Sequence, residues 1–111
     1  MPEFSNSFSG LANDRKVTKS ELIRAIRYSI AAEYEAIQLY EQLAESTDNA
    51  LAKKVLLDIA KEEVVHAGEF LKLLKELAPN EQALYDEGQE EVEEMMAELT
   101  KKPARKGPRK K

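Results

Sequence analysis

Apolar residues recur at every third or fourth position through two long stretches of the chain, and each stretch breaks its own pattern near its centre. In the first, Leu22, Ile26, Ile30, Ile37, Tyr40 and Ala44 share one helical face, interrupted only by Glu33. In the second, Ala52, Val55 or Leu56, Ile59, Phe70, Leu73 and Leu77 do the same, interrupted by Glu63 and His66. Thr18 and Glu21 form a capping box at the head of the first stretch, and neither Pro nor Gly follows before about Glu45. The turn-forming run from Ser46 to Asn49 separates the two stretches, and Pro79 stops the second after Leu77. The pattern predicts two helices of about 28 residues, each roughly 42 Å long. Joined by so short a turn, they form an antiparallel hairpin.

Beyond Pro79, Asn80 is placed to cap a third, shorter helix that Gly88 weakens or kinks before residues 89–99 resume. Its thin apolar stripe (Val92, Met95 or Met96, Leu99) among many glutamates predicts peripheral packing. Residues 1–17 mix Ser, Asn, Gly and Pro without periodicity and read as a mobile arm. Residues 100–111 read as a basic, flexible tail, which leaves residues 18–99 as the helical domain.

Roughly 80 residues of core-forming chain is a size at which a second copy or a metal is commonly needed for stability. Seven of the 17 cations of the 111-residue chain lie from Lys101 onward, so a total of −4 leaves −11 for the rest. An acidic body attracts cations and disfavours nucleic acid. The chain has no cysteine, hence no disulfide frame, no thiolate metal site and no rubredoxin-type iron centre, in keeping with a cytoplasmic protein. No signal peptide and no apolar run of membrane-spanning length is recognisable.

The chemistry lies in the three interruptions. In a hairpin pivoting near residue 48, Glu33 lies about fifteen residues before the turn and Glu63 about fifteen after it, at one height. Carboxylates in an apolar seam are costly unless paired, protonated or bound to a cation. No Lys or Arg occupies either seam, so a metal is the natural counter-charge. Glu63 and His66, three apart, present an oxygen and an imidazole on one face. Carboxylates with one nitrogen ligand suit iron or manganese better than structural zinc. Di-iron four-helix bundles take a Glu from each of two helices and Glu-x-x-His from each of the other two. This chain holds one of each, so a complete site takes two chains. Blander readings exist: a lone His66 as a core histidine, Glu33 as a solvated charge, and Tyr40 as ordinary core.

Residues 31–48 (AAEYEAIQLYEQLAESTD) and 58–77 (DIAKEEVVHAGEFLKLLKEL) resemble the encapsulated ferritins, two-helix relatives of ferritin carried as cargo inside encapsulin shells. The resemblance implies an all-α hairpin dimerising into a ferritin-like four-helix bundle, with dimers assembling into a homodecamer. It implies ferroxidase activity at a di-iron (Fe) centre between two subunits, using Glu33, Glu63 and His66 of each. It places Tyr40 close to that centre and gives Glu35 to a second, weaker metal-entry site. It also implies an encapsulin shell protein as partner and iron storage within an encapsulin nanocompartment in the cytoplasm. Ala32 and Leu39 stand where the family often has an acidic residue and a tryptophan, and no Gly/Leu/Arg cargo-loading motif is recognisable in the tail. A rubrerythrin-like peroxidase with the same centre and a non-catalytic helical adaptor are the alternative functions.

Overall fold

The computed structural model describes residues 15–106, for residues 102–106 the backbone alone. Among the described residues there are three helices and no strand: α1 (Lys19–Glu45), α2 (Ala50–Leu77) and α3 (Pro79–Lys106). The all-α expectation is met, and the two long helices begin and end within a residue of where the pattern puts them.

The local chemistry of the ends explains those bounds. Thr18 accepts the Glu21 N–H on its hydroxyl at 3.2 Å, while the Glu21 carboxylate accepts the Thr18 N–H at 2.8 Å. Two orphan amides are satisfied reciprocally. Arg15 then clamps the same carboxylate with two parallel bonds of 2.8 and 2.7 Å. The guanidinium and the Thr18 amide hold the Glu21 carboxyl down at about 2. At the other end Ser46 donates from its N–H to the Leu43 carbonyl and from its hydroxyl to that of Gln42. Asn49 caps α2 by accepting the Ala52 N–H at 2.9 Å.

α1 and α2 pack as an antiparallel hairpin in one compact unit. Its most buried side chains are Ile26, Ile30 and Ala44 on α1 and Ala60, Ala67 and Leu74 on α2. The α1 seam is the expected one. The α2 seam is not: Ala60, Ala67 and Leu74 alternate with the half-buried Leu56, Glu63, Phe70 and Leu77 in steps of three and four. Leu73 and His66, expected on that seam, are exposed. A strict seven-residue repeat selects one narrow seam, whereas α2 carries apolar residues around more than that arc. The steps through His66 and Leu73 follow a second apolar stripe beside the first, continued by Val55. That stripe is uncovered in the single chain, as are Leu39 and Leu43 on α1.

α3 forms part of a second unit. Asn80 does not cap it. Pro79 takes the first helical position, where its missing N–H is no loss, and the Ala78 carbonyl accepts the N–H groups of Glu81 and Gln82. Gly88 does not interrupt it, and the helix runs past Leu99 to Lys106. One glycine costs about 1 kcal/mol relative to alanine, too little to break 28 residues of mostly good helix formers. Pairs four residues apart, Gln82 with Asp86 and Tyr85 with Glu81, brace its first half. Every residue from Ala83 to Lys101 is exposed, the apolar stripe expected to pack included. Among the described residues no helix is long and apolar enough to cross a membrane. Residues 1–14 of the expected arm and 107–111 of the expected tail lie outside the described residues.

Candidate metal centre

Glu33 enters the hairpin seam from α1 and Glu63 from α2, each at a position the heptad repeat assigns to packing. Ala60 and Ala67, one turn to either side of Glu63, are nearly fully buried. Small side chains at a crossing let two helices approach closely, which brings the carboxylates within reach of one another. This flanking alanine pair is a feature the sequence reading missed. Its signal was available as two alanines seven residues apart, bracketing the one acidic seam position of α2.

His66 stands one turn beyond Glu63, on the edge of the seam. Its Nδ1 lies 2.8 Å from Glu63 Oε1 and 3.7 Å from Glu33 Oε2. One ligand atom from each of Glu33, Glu63 and His66 falls within 4.8 Å of the other two. The three residues the sequence singled out are therefore brought together. They are not equally covered: the two glutamate side chains are 18% exposed, the imidazole 50%. The carboxylates form the floor and the histidine the open rim.

The electrostatics are those of a cluster short of positive charge. Burial pushes the Glu33 carboxyl above its usual range, and its hydrogen bond and repulsion with Glu63 push the same way. Glu63 moves down, because it accepts from Glu33 and from the imidazole. The hydrogen bond to Glu63 raises His66 against the opposing effect of its partial desolvation. The upward shifts of Glu33 and His66 mark a cluster that favours added positive charge. A divalent ion would supply it, since carboxylate oxygens and a neutral imidazole nitrogen are what borderline divalent metals prefer. The donor set fits iron or manganese, and three protein donors leave such an ion short of a full coordination shell.

Glu35 does not join this cluster of ligand atoms. It lines, with Ala32, Ala36, Leu39 and Tyr40, a half-open cavity of about 370 Å³ along α1. The acidic residues of α3 form no such converging group with a histidine among the described residues.

Residues 25–106 match the family named Rubrerythrin. The chain is 44% identical over 82 residues to the ferritin-like-encapsulin shell fusion protein of Pyrococcus furiosus, covering 74% of this chain and 24% of that one. It is 42% identical over 83 residues to the encapsulin nanocompartment cargo protein EncC of Myxococcus xanthus, covering 75% and 62%. The chain thus spans about a quarter of the first relative's length and less than two thirds of the second's. Its fold superimposes on the crystal structure of the encapsulated ferritin domain from Pyrococcus furiosus with a TM-score of 0.73 and 42% identity, covering 78% of this chain and 88% of that domain.

Proposed function

The chain belongs to the Rubrerythrin family, and from that membership, with its homology to encapsulated ferritins, we propose that it oxidises Fe²⁺ to Fe³⁺ at a di-iron centre shared by two copies. The observation that carries this reading is the convergence of Glu33, Glu63 and His66 within 4.8 Å in a seam that has no cation of its own. One hairpin supplies one Glu and one Glu-x-x-His, half of the ligand count of a di-iron bundle. The half-exposed imidazole and the uncovered stripe through Val55 and Leu73 support a second hairpin closing over the site.

In this reading Fe²⁺ is the substrate. Glu33 and Glu63 hold it by their oxygens and His66 by its nitrogen, with one iron per chain. Two Fe²⁺ each give up one electron, O₂ takes both electrons with two protons, and hydrogen peroxide leaves. Negative ligands favour the ferric state, and the apolar seam limits solvent access. Tyr40, two turns from Glu33 on the same seam, gates the approach. Glu35, on the cavity with Ala32 and Leu39, serves as a weaker site of iron entry.

The curated relatives are, by name, an encapsulin shell fusion and an encapsulin cargo protein. They support this chain as cargo of an encapsulin compartment, and its assembly as dimers within a decamer is part of the same proposal, resting on the resemblance to encapsulated ferritins alone. Helix pairs enclose little volume, so the ferric product is stored in the compartment around them. Anaerobic Fe²⁺ titration followed by admission of O₂ tests the reading. Saturation near one iron per chain and a ferric absorbance that rises on O₂ admission are expected. A stoichiometry clearly different, or no oxidation above the buffer rate, overturns it. A rubrerythrin-like peroxidase would use the same three ligands, and consumption of added peroxide with Fe²⁺ as the only reductant distinguishes the two.

A further inference from the structure

The reaction proposed above releases hydrogen peroxide beside a chain with few groups able to consume it. The sequence holds no cysteine and no tryptophan, and its only sulfur is in three methionines. Two of them, Met95 and Met96, are adjacent on α3, and Met1 lies outside the described residues. Where no thiol is present, the thioether is the sulfur that peroxide oxidises.

Both thioethers are open to attack. Met95 is 57% exposed and Met96 59%, whereas Leu74 in the hairpin core is 3% exposed. Successive helical residues point about 100° apart, so a flat contact that covers one of the pair leaves the other in solvent. Val92 and Leu99, one turn before and one turn after both methionines, are exposed as well. The Thr100 hydroxyl is committed to the Met96 and Ala97 carbonyls.

We propose that Met95 and Met96 form a reversible oxidation site for hydrogen peroxide. A thioether lone pair attacks one peroxide oxygen, and the S–O bond forms as the O–O bond breaks. The sulfur gives up two electrons and peroxide takes them. The proton on the transferred oxygen passes to the departing one, and water leaves. No other oxidant or reductant enters. Each event turns an apolar side chain into a polar one on the exposed stripe that Val92 and Leu99 continue. α3 thereby records peroxide that escapes the metal centre, up to one oxygen at each methionine, and a methionine sulfoxide reductase resets it. The source of the peroxide rests on the ferroxidase reading, whereas the reactivity of the two sulfurs does not.

Two arms on the full chain, read by intact mass and peptide mapping, keep these claims apart. In the first, hydrogen peroxide is added to the iron-free protein, native and unfolded in urea. One oxygen at Met95 and one at Met96 are expected in both, at rates within a few-fold of each other. Oxidation of the pair in the unfolded chain alone overturns the proposal. In the second arm, Fe²⁺ and O₂ are supplied without added peroxide. The same two sulfoxides are expected to accumulate as iron is oxidised, catalase should suppress them, and a methionine sulfoxide reductase should return the original mass. Sulfoxide that forms equally with catalase present assigns it to another oxidant and overturns the proposal. Sulfoxide in the first arm with none in the second removes the peroxide-releasing reading and leaves the site in place. Met95→Leu with Met96→Leu keeps volume and helix propensity close to the original, so helicity by circular dichroism is retained. That variant should lose the mass gain on α3 while its anaerobic iron stoichiometry stays at the wild-type value. An undiminished gain elsewhere on α3 overturns the assignment to these two residues.

Discussion

α2 and α3 are helices of the same length, 28 residues each, and both are rich in glutamate, yet only α2 brings a glutamate into a site. α3 has the higher carboxylate density, and from Ala83 onward every one of its side chains described is exposed. On α2, Glu63 occupies a packing position between Ala60 and Ala67, where a partner helix supplies Glu33 and removes water. The lesson is positional. A carboxylate in water is satisfied where it stands. One in a seam raises the local demand for positive charge, and the upward shifts of the Glu33 and His66 pKa values are that demand made visible.

The sharpest way to break the comparison is to remove one carboxylate from each helix. Glu63→Ala is expected to weaken Fe²⁺ binding by at least about 100-fold, beyond what loss of a supporting partner costs. Glu94→Ala on α3 should leave it unchanged, with the anaerobic titration as the common measurement. Packing gives the next largest contrast. Leu74→Ala, at a site only 3% exposed, should destabilise by about 2–5 kcal/mol in denaturant unfolding at fixed protein concentration. Leu84→Ala, 65% exposed on α3, should change unfolding by no more than about 0.5 kcal/mol.

Smaller effects test the framing of the hairpin. Thr18→Ala removes half of the capping box and should cost about 1 kcal/mol, read by the same unfolding curves. Gly68→Ala meets nothing within 4 Å and should stabilise by roughly 0.5–1 kcal/mol. The smallest expected change is in acid. The Glu21 carboxyl is depressed to about 2 when folded, so its contribution is fully present above its unfolded value and is lost as pH falls towards 2. Arg15→Ala should move that loss to higher pH, seen in the low-pH limb of helicity against pH, with no change near neutrality.

Much of the hairpin was legible because its signals are local. Thr18 and Glu21 announce the start of α1, and the run from Ser46 to Asn49 announces the reversal. The α1 seam, with Glu33 as its one polar member, follows from periodicity alone. α2 was harder, since its apolar residues span two adjacent stripes and periodicity cannot say which one faces α1. The expected seam therefore ran through His66 and Leu73, where packing selects Ala60, Ala67 and Leu74. The cap of α3 was missed because Pro79 was taken as a stop signal when it serves as a first helical residue.

The sequence by itself determined the helices, the hairpin and the equal height of Glu33, Glu63 and His66, because caps, turns and spacing act over a few residues. Tertiary structure alone decided which stripe of α2 is buried, for burial depends on the partner surface and on the small alanines that let it approach. It also decided that the glutamates sit inside the seam and the histidine at its rim, so that one copy presents an open half of a metal centre.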